Sequence, residues 1–531
     1  MTGKRFGTHD YKVRPLLHAA PFLAILCFFP FRAVKAFPVA LGGFVTTVSP
    51  AGFDIGATHV RLSPTSRCEI GEVRADPLFF YKHRTLAKPL YHPATTTAEP
   101  CGAMKVVIGS PIYLEGTWRS HERQFVASRV LLYSIKQIES VNGAALIEED
   151  PSLQKYDGEW SGRIQIDGYP LNVNRQTRMI AAPIHTTPTR SLRRHILTVR
   201  ANIDATRPTN PLKSLPTPNT WGLYHASTTQ NDGITACQIR FWSSWTSDKE
   251  AEYLKEFASA IGENSGTEPP ASIQLRNGHA VTVLSEKTIQ DWLSRFGIGL
   301  VPSYYQSLPY TASTTLRFRF YVVHSFKASF KSGIVDINGI LPESDGYDGF
   351  EYHNPPIFTQ VKDVIALPTG IILVPDRVLA SLNNDAELAA LLSYAVTSII
   401  QKQAFMTQHH GNGFYFVALW LSLNEQALRI GIRQMYLAGY DIREAPYAWA
   451  VAQGKPVNNP VIDSKHPDKE IPWYAAYAFN YISQYYQNVD YTKLKRGRRE
   501  YQQFLQELRR ADPEAFAPQK PQSAAKHKVP K

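Results

Sequence analysis

Alternation of apolar and polar positions is clearest between residues 106 and 173. The runs Ile112-Tyr113-Leu114-Glu115-Gly116-Thr117-Trp118 and Phe125-Val126-Ala127-Ser128-Arg129-Val130-Leu131-Leu132 are rich in strand formers and flank a charged turn, which predicts a hairpin. Gly162 to Tyr169 alternates in the same way, and Leu171-Asn172-Val173 follows it. Short strands at this spacing predict a small antiparallel barrel or sandwich over residues 105–205. Residues 37–104 are rich in Pro, Thr and Gly with little periodicity, so irregular structure with isolated strands is expected there. Residues 206–284 read as a linker followed by Trp-containing segments of ambiguous pattern.

The period changes near Glu286, where Ile289, Trp292, Leu293 and Phe296 fall on one helical face. A strand is expected at Leu316 to Val323, and Val364 to Val374 reads as strand, turn and strand. Asn384-Asp385-Ala386-Glu387-Leu388-Ala389-Ala390-Leu391-Leu392 is strongly helical. The expected fold is multidomain: an N-terminal, mostly β module, barrel- or sandwich-like, followed by an α+β domain over residues 285–480. A basic helical C-terminal tail is expected over residues 481–531.

The net charge of +12 invites a nucleic-acid reading until its distribution is considered. Residues 1–36 carry +5 and residues 493–531 carry +7, which leaves the body of the chain neutral. A neutral body offers no phosphate-tracking groove, and nucleic acid is not an expected partner. Lys4, Arg5, Lys12 and Arg14 precede the apolar stretch Leu16 to Phe31 and the small-residue end Val34-Lys35-Ala36. That order is the pattern of a secretory signal peptide cleaved after Ala36, and it predicts a periplasmic or secreted protein. The stretch is short for a spanning helix and contains Pro21 and Pro30, although retention as an anchor is the competing reading. Without the leader, Cys68, Cys101 and Cys237 remain. A Cys68–Cys101 disulfide beside one free thiol and three buried thiols are both open.

The order Val364-Ile365-Ala366-Leu367-Pro368-Thr369-Gly370-Ile371-Ile372-Leu373-Val374, then Leu379 to Leu382, then the helix from Asn384, resembles the gluzincin metallopeptidases of the HtpX and CAAX prenyl protease group. The likeness continues through Asn424 to Gly431, through Tyr436-Leu437-Ala438-Gly439-Tyr440-Asp441, and to His466-Pro467, covering about residues 285–480. In that family an HExxH helix places two zinc-binding histidines on one face, with a glutamate between them to activate the metal-bound water. The resemblance puts Tyr394 and Ser398 at the histidine positions and Ala395 at the glutamate position. It puts Asn424 at the third ligand and Leu428 at the supporting aspartate, while Glu425 is out of phase by about 100°. None of these side chains has the family's chemistry, so no metal cofactor is expected. Zinc would enter only under the alternative of a residual or unconventional metalloendopeptidase.

The resemblance therefore implies an exported, catalytically inactive pseudopeptidase that binds a peptide or protein in the cell envelope. Ile371, Ile372, Leu373 and Val374 are the candidate edge strand for pairing with an extended peptide. Separately, Tyr113 to Trp118 with Phe125 to Tyr133 is similar to oligonucleotide-binding-like β-barrels appended to exported bacterial proteins, and a structural module is the expected role. His409-His410 reads as a surface pair, and Phe414 to Leu423 as a buried face packing on helix 385–403. Lys495-Arg496-Gly497-Arg498-Arg499 reads as part of a solvated tail, with weak contact to an anionic surface as its functional reading.

Overall fold

A computed structural model describes residues 38–50, 52–55, 58–73, 92–93, 99–101, 106, 108–119, 124–135, 140–149, 151–181, 210–212, 214–229, 233–244, 246–258, 269–274, 280–306, 317–324, 364–367, 370–403, 414–452, 461–463, 473–486 and 489–517. The leader, His409-His410 and His466-Pro467 lie outside the described residues.

Strands β1 (Pro38–Ser49), β2 (Gly52–Ile55), β3 (Thr58–Val73), β4 (Pro111–Arg119) and β5 (Gln124–Ile135) form a closed barrel. Going round it, β2, β1, β4, β5 and β3 are neighbours, and β3 returns to β2. All contacts are antiparallel except β3 with β5. Closure leaves no free edge, and Phe53, Val60, Leu114, Phe125 and Val130 fill the interior. Cys68 on β3 is bonded to Cys101, so the disulfide alternative holds, while Cys237 is an exposed free thiol.

The same connectivity then recurs. Strands β6 (Ser140–Leu146), β7 (Ser152–Tyr156), β8 (Glu159–Ile166), β9 (Tyr169–Val173), β10 (Arg178–Ala181), β11 (Thr220–Thr229) and β12 (Gly233–Ser244) form a second sheet. Within it β8, β9, β12, β11 and β6 follow one another with only β9 and β12 parallel. The bridge between Ile147 and Ile166 brings β6 back to β8. Asp167 and Gly168, both at positive φ, make the two-residue turn between β8 and β9. Asp-Gly suits the primed turn that matches strand twist.

Beyond α1 (Ser247–Ala258) and the hairpin of β13 (Ser272–Gln274) with β14 (Ala280–Thr282), α2 (Lys287–Ile298) leads into a three-stranded sheet. Its members are β15 (Arg319–Val323), β16 (Ile365–Ala366) and β17 (Ile371–Pro375). Then come α3 (Asp376–Ser381), α4 (Asp385–Ile400), α5 (Phe414–Leu437), α6 (Ala445–Ala452), α7 (Trp473–Tyr485) and α8 (Arg498–Ala511). Every residue of α4 is buried, as its apolar composition on all faces requires. Asn384 caps it by accepting from Glu387 N–H at 2.9 Å, and the Glu387 carboxylate takes Asn383 N–H at 2.7 Å.

Several expectations are corrected. The described residues between 38 and 73 are not irregular: they supply three of the first barrel's five strands, and a boundary at 104/105 cuts that barrel. The Trp-containing segment of ambiguous pattern holds β11 and β12, which are core strands of the second sheet. Strand Ile371–Pro375 is the centre of its sheet and not an edge, paired in parallel with β15 and antiparallel with β16, and its side chains are all buried. Residues 489–517 are not a free tail: Tyr501, Phe504, Leu505 and Leu508 of α8 are buried, and the Phe504 ring stacks on Trp292 of α2 at 3.9 Å. The run Phe414 to Leu423 is the first part of α5, where Leu423 is buried. Among the described residues no helix is long and apolar enough to cross a membrane.

Candidate functional site

Helices α4 and α5 cross closely because Gly431 faces the backbone of Tyr394: a Cβ at residue 431 would lie 2.9 Å from Tyr394 N. This crossing brings Tyr394 and Asn424 together, and the phenolic O–H donates to Asn424 Oδ1. Tyr394 is enclosed by aromatic rings, edge-on to Trp449 at 4.9 Å and to Tyr474 at 6.0 Å, and those two stack on each other at 4.9 Å. Ala395 is fully buried, and Ser398 Oγ donates to the Ala395 carbonyl at 2.8 Å. A hydroxyl used in this way bonds back to its own helix backbone.

The fit to zinc is therefore poor. The four positions offer a phenol, a methyl, a hydroxyl and an amide, whereas zinc is held by imidazole, thiolate or carboxylate. Glu425 does not replace them: it lies 3.9 Å from Arg429 one turn further along α5. Leu428 is buried. Ile371 to Val374 sit in the sheet beside α4 with both strand edges occupied.

The polar chemistry nearby joins the helices to the second sheet. Arg429 Nε donates to Asp167 O at 2.9 Å, and a second guanidinium nitrogen reaches Asp167 Oδ1 at 2.5 Å. Burial alone would lower the Arg429 pKa, yet Asp167 and the surrounding tyrosines hold it well above its ordinary value. Asp167 also accepts from Tyr224 O–H at 2.7 Å, and the guanidinium lies 4.9 Å from the centre of the Tyr169 ring. A Cβ on Gly168 would lie 2.6 Å from Arg429 Cβ, so the turn is fitted against α5. Gln401 both donates to and accepts from the Leu146 backbone, and Gln426 donates to Ala144 O at 2.8 Å. These two amides satisfy strand β6 on the side facing the helices.

Two further ionic groups are buried. Lys402 Nζ is 2.6 Å from Glu250 on α1, beside the rings of Tyr253 and Tyr305, and burial lowers its pKa. Asn384 bridges Glu387 and Glu444, and burial followed by Glu444 raises Glu387 to about 8. Arg443 donates to the Val45 carbonyl at 3.0 Å and so ties this network to the first barrel.

His324, Asp376 and Asp512 also converge, with ligand atoms all within 4.8 Å of one another. Sequence reading missed this group, and no local spacing signals it.

No protein-family profile matches the chain, and no curated protein matches it.

Proposed function

We propose that this is an exported, peptidase-like protein that holds a peptide or protein partner in the cell envelope without cleaving it. The observation that carries the reading is the Tyr394–Asn424 hydrogen bond inside a ring of aromatic side chains. Two of the three positions that the gluzincin resemblance assigns to metal ligands are in contact, yet their donors are a phenol and an amide. Water activation for peptide hydrolysis needs a metal or a general base, and Ala395 provides neither. The Cys68–Cys101 disulfide supports export, since such bonds persist in oxidising compartments.

The recognition surface of this reading is not the Ile371–Val374 backbone, whose hydrogen-bonding groups are already used. The two barrel-type β units supply rigid surfaces beside the helices, and five-stranded barrels of this kind are common binding modules. The test is incubation of the mature protein with a library of fluorescent unfolded-protein peptides, following anisotropy and peptide mass together. Saturable binding with every peptide recovered intact is the expected result. Cleavage abolished by a chelator would favour the metalloendopeptidase alternative, and absence of saturable binding would remove the binding role.

A further inference from the structure

Three metal-ligating side chains from remote parts of the chain meet at the end of the three-stranded sheet. His324 leaves β15, Asp376 opens α3, and Asp512 follows α8. The imidazole Nδ1 is 3.2 Å from Asp376 Oδ2 and 2.9 Å from Asp512 Oδ2. Both carboxylates are buried, while the imidazole keeps 21% exposure.

We propose that His324 Nδ1, Asp376 Oδ2 and Asp512 Oδ2 are three ligands of one zinc ion that clasps helix α8 to the sheet, with the fourth position open on the solvent side. Zinc bonds to imidazole nitrogen and carboxylate oxygen of about 2.0–2.1 Å, set tetrahedrally, place neighbouring ligand atoms roughly 3.3 Å apart. The two separations from Nδ1, 3.2 and 2.9 Å, need only a small outward adjustment to reach that value. The carboxylates are already aimed: Asp376 Oδ1 accepts from Arg377 N–H at 2.6 Å, and the Asp512 carboxylate takes a hydrogen bond from Ala515 N–H. Such outer partners fix the orientation of metal-binding carboxylates.

The backbone around them is also tied down. His324 N–H donates to Thr282 O at 3.0 Å, and Asp512 N–H donates to Leu508 O at 2.7 Å. The two carboxylates also lie within hydrogen-bonding reach of each other, so the three ligand atoms enclose one small polar site. The ligand set of one nitrogen and two oxygens, with a partly exposed approach, suits zinc better than the all-oxygen cages of calcium or magnesium. This ion would be distinct from that of the resembled family, whose positions lie on α4 and α5.

The test uses the full mature chain, stripped with a chelator and dialysed against equimolar zinc chloride. One zinc per chain and a Tm raised by several degrees are expected. His324→Ala and the milder Asp512→Asn should each weaken zinc binding at least tenfold and abolish the zinc-dependent rise, with the zinc-free Tm showing that they are folded. Failure of the wild-type chain to take up zinc would overturn the proposal. So would folded variants that retain zinc with wild-type affinity.

Discussion

The Tyr394 hydroxyl donates to Asn424 Oδ1 across the contact of α4 with α5. The two positions are thirty residues apart, both side chains are buried, and Asn424 Nδ2 has no hydrogen-bond partner among the described residues. The Tyr394 hydroxyl is the partner of the buried Asn424 amide oxygen, and breaking this bond leaves that oxygen desolvated.

Tyr394→Phe removes that donor alone. A loss of about 1–3 kcal/mol is expected, because an unsatisfied buried acceptor costs its full desolvation. Adding Asn424→Leu to the same chain should recover part of the loss by removing the orphaned amide. Urea denaturation of the two variants checks this, and an unrecovered double variant would mean that Asn424 has other partners.

Arg429 and Asp167 join α5 to the turn between β8 and β9. Arg429→Met leaves Asp167 buried without its cation, for an expected loss of about 3–5 kcal/mol. Arg433→Met is the comparison: its hydrogen bond is to half-exposed Glu149, and the buried Glu148 3.7 Å away is already raised to about 7 by burial and can take a proton, so its effect should be smaller. Thermal melts of both variants decide the order.

Local pattern was legible where partners are near in sequence. The β4–β5 hairpin, the strand pair around Gly370, and α4 with its Asn384 cap all follow from residues close together. Strands β1 to β3 were hidden, because β2 has only four residues and Pro and Thr punctuate β1 and β3. The parallel pairings of β3 with β5 and of β9 with β12 are non-local, so no turn signal announces them. Strand Ile371–Pro375 could be recognised as a strand, but its place at the centre of the sheet depends on β15, supplied from much earlier in the chain. His324 and Asp512 are 188 residues apart, and Arg429 and Asp167 are 262 apart. Only folding reveals such pairs.

Buried carboxyls set the pH dependence. Glu387 is raised from 4.5 to about 8 by burial and by Glu444, and burial raises Glu148 from 4.5 to about 7. A raised carboxyl favours the folded state most when protonated. Its contribution is complete below 4.5 and is lost as pH rises through the folded value. Stability is thus expected to fall between about pH 5 and 8 on account of these groups. Glu387→Gln should flatten that slope and gain on the wild type at pH 8, as read by denaturation at several pH values. An unchanged slope would contradict the assignment.

The disulfide closes a separation of 33 residues. Cys68→Ser with Cys101→Ser should cost about 3–4 kcal/mol if loop closure in the unfolded chain dominates. Intact mass of the native protein should also show a start at Phe37 and two hydrogens fewer than the reduced chain. A chain retaining residues 1–36 would contradict cleavage after Ala36.

The peptidase-like placement of Tyr394, Ala395, Ser398 and Asn424 is tested most directly by restoring the missing donors. The combined change Tyr394→His, Ala395→Glu, Ser398→His and Asn424→Glu is made in a His324→Ala background, and zinc per chain is measured alongside the circular dichroism of the folded protein. One zinc bound by the restored chain and none by its His324→Ala parent is the predicted result. A restored chain that folds and binds no zinc would contradict the register, and with it the reading of the protein as a peptidase scaffold without its chemistry.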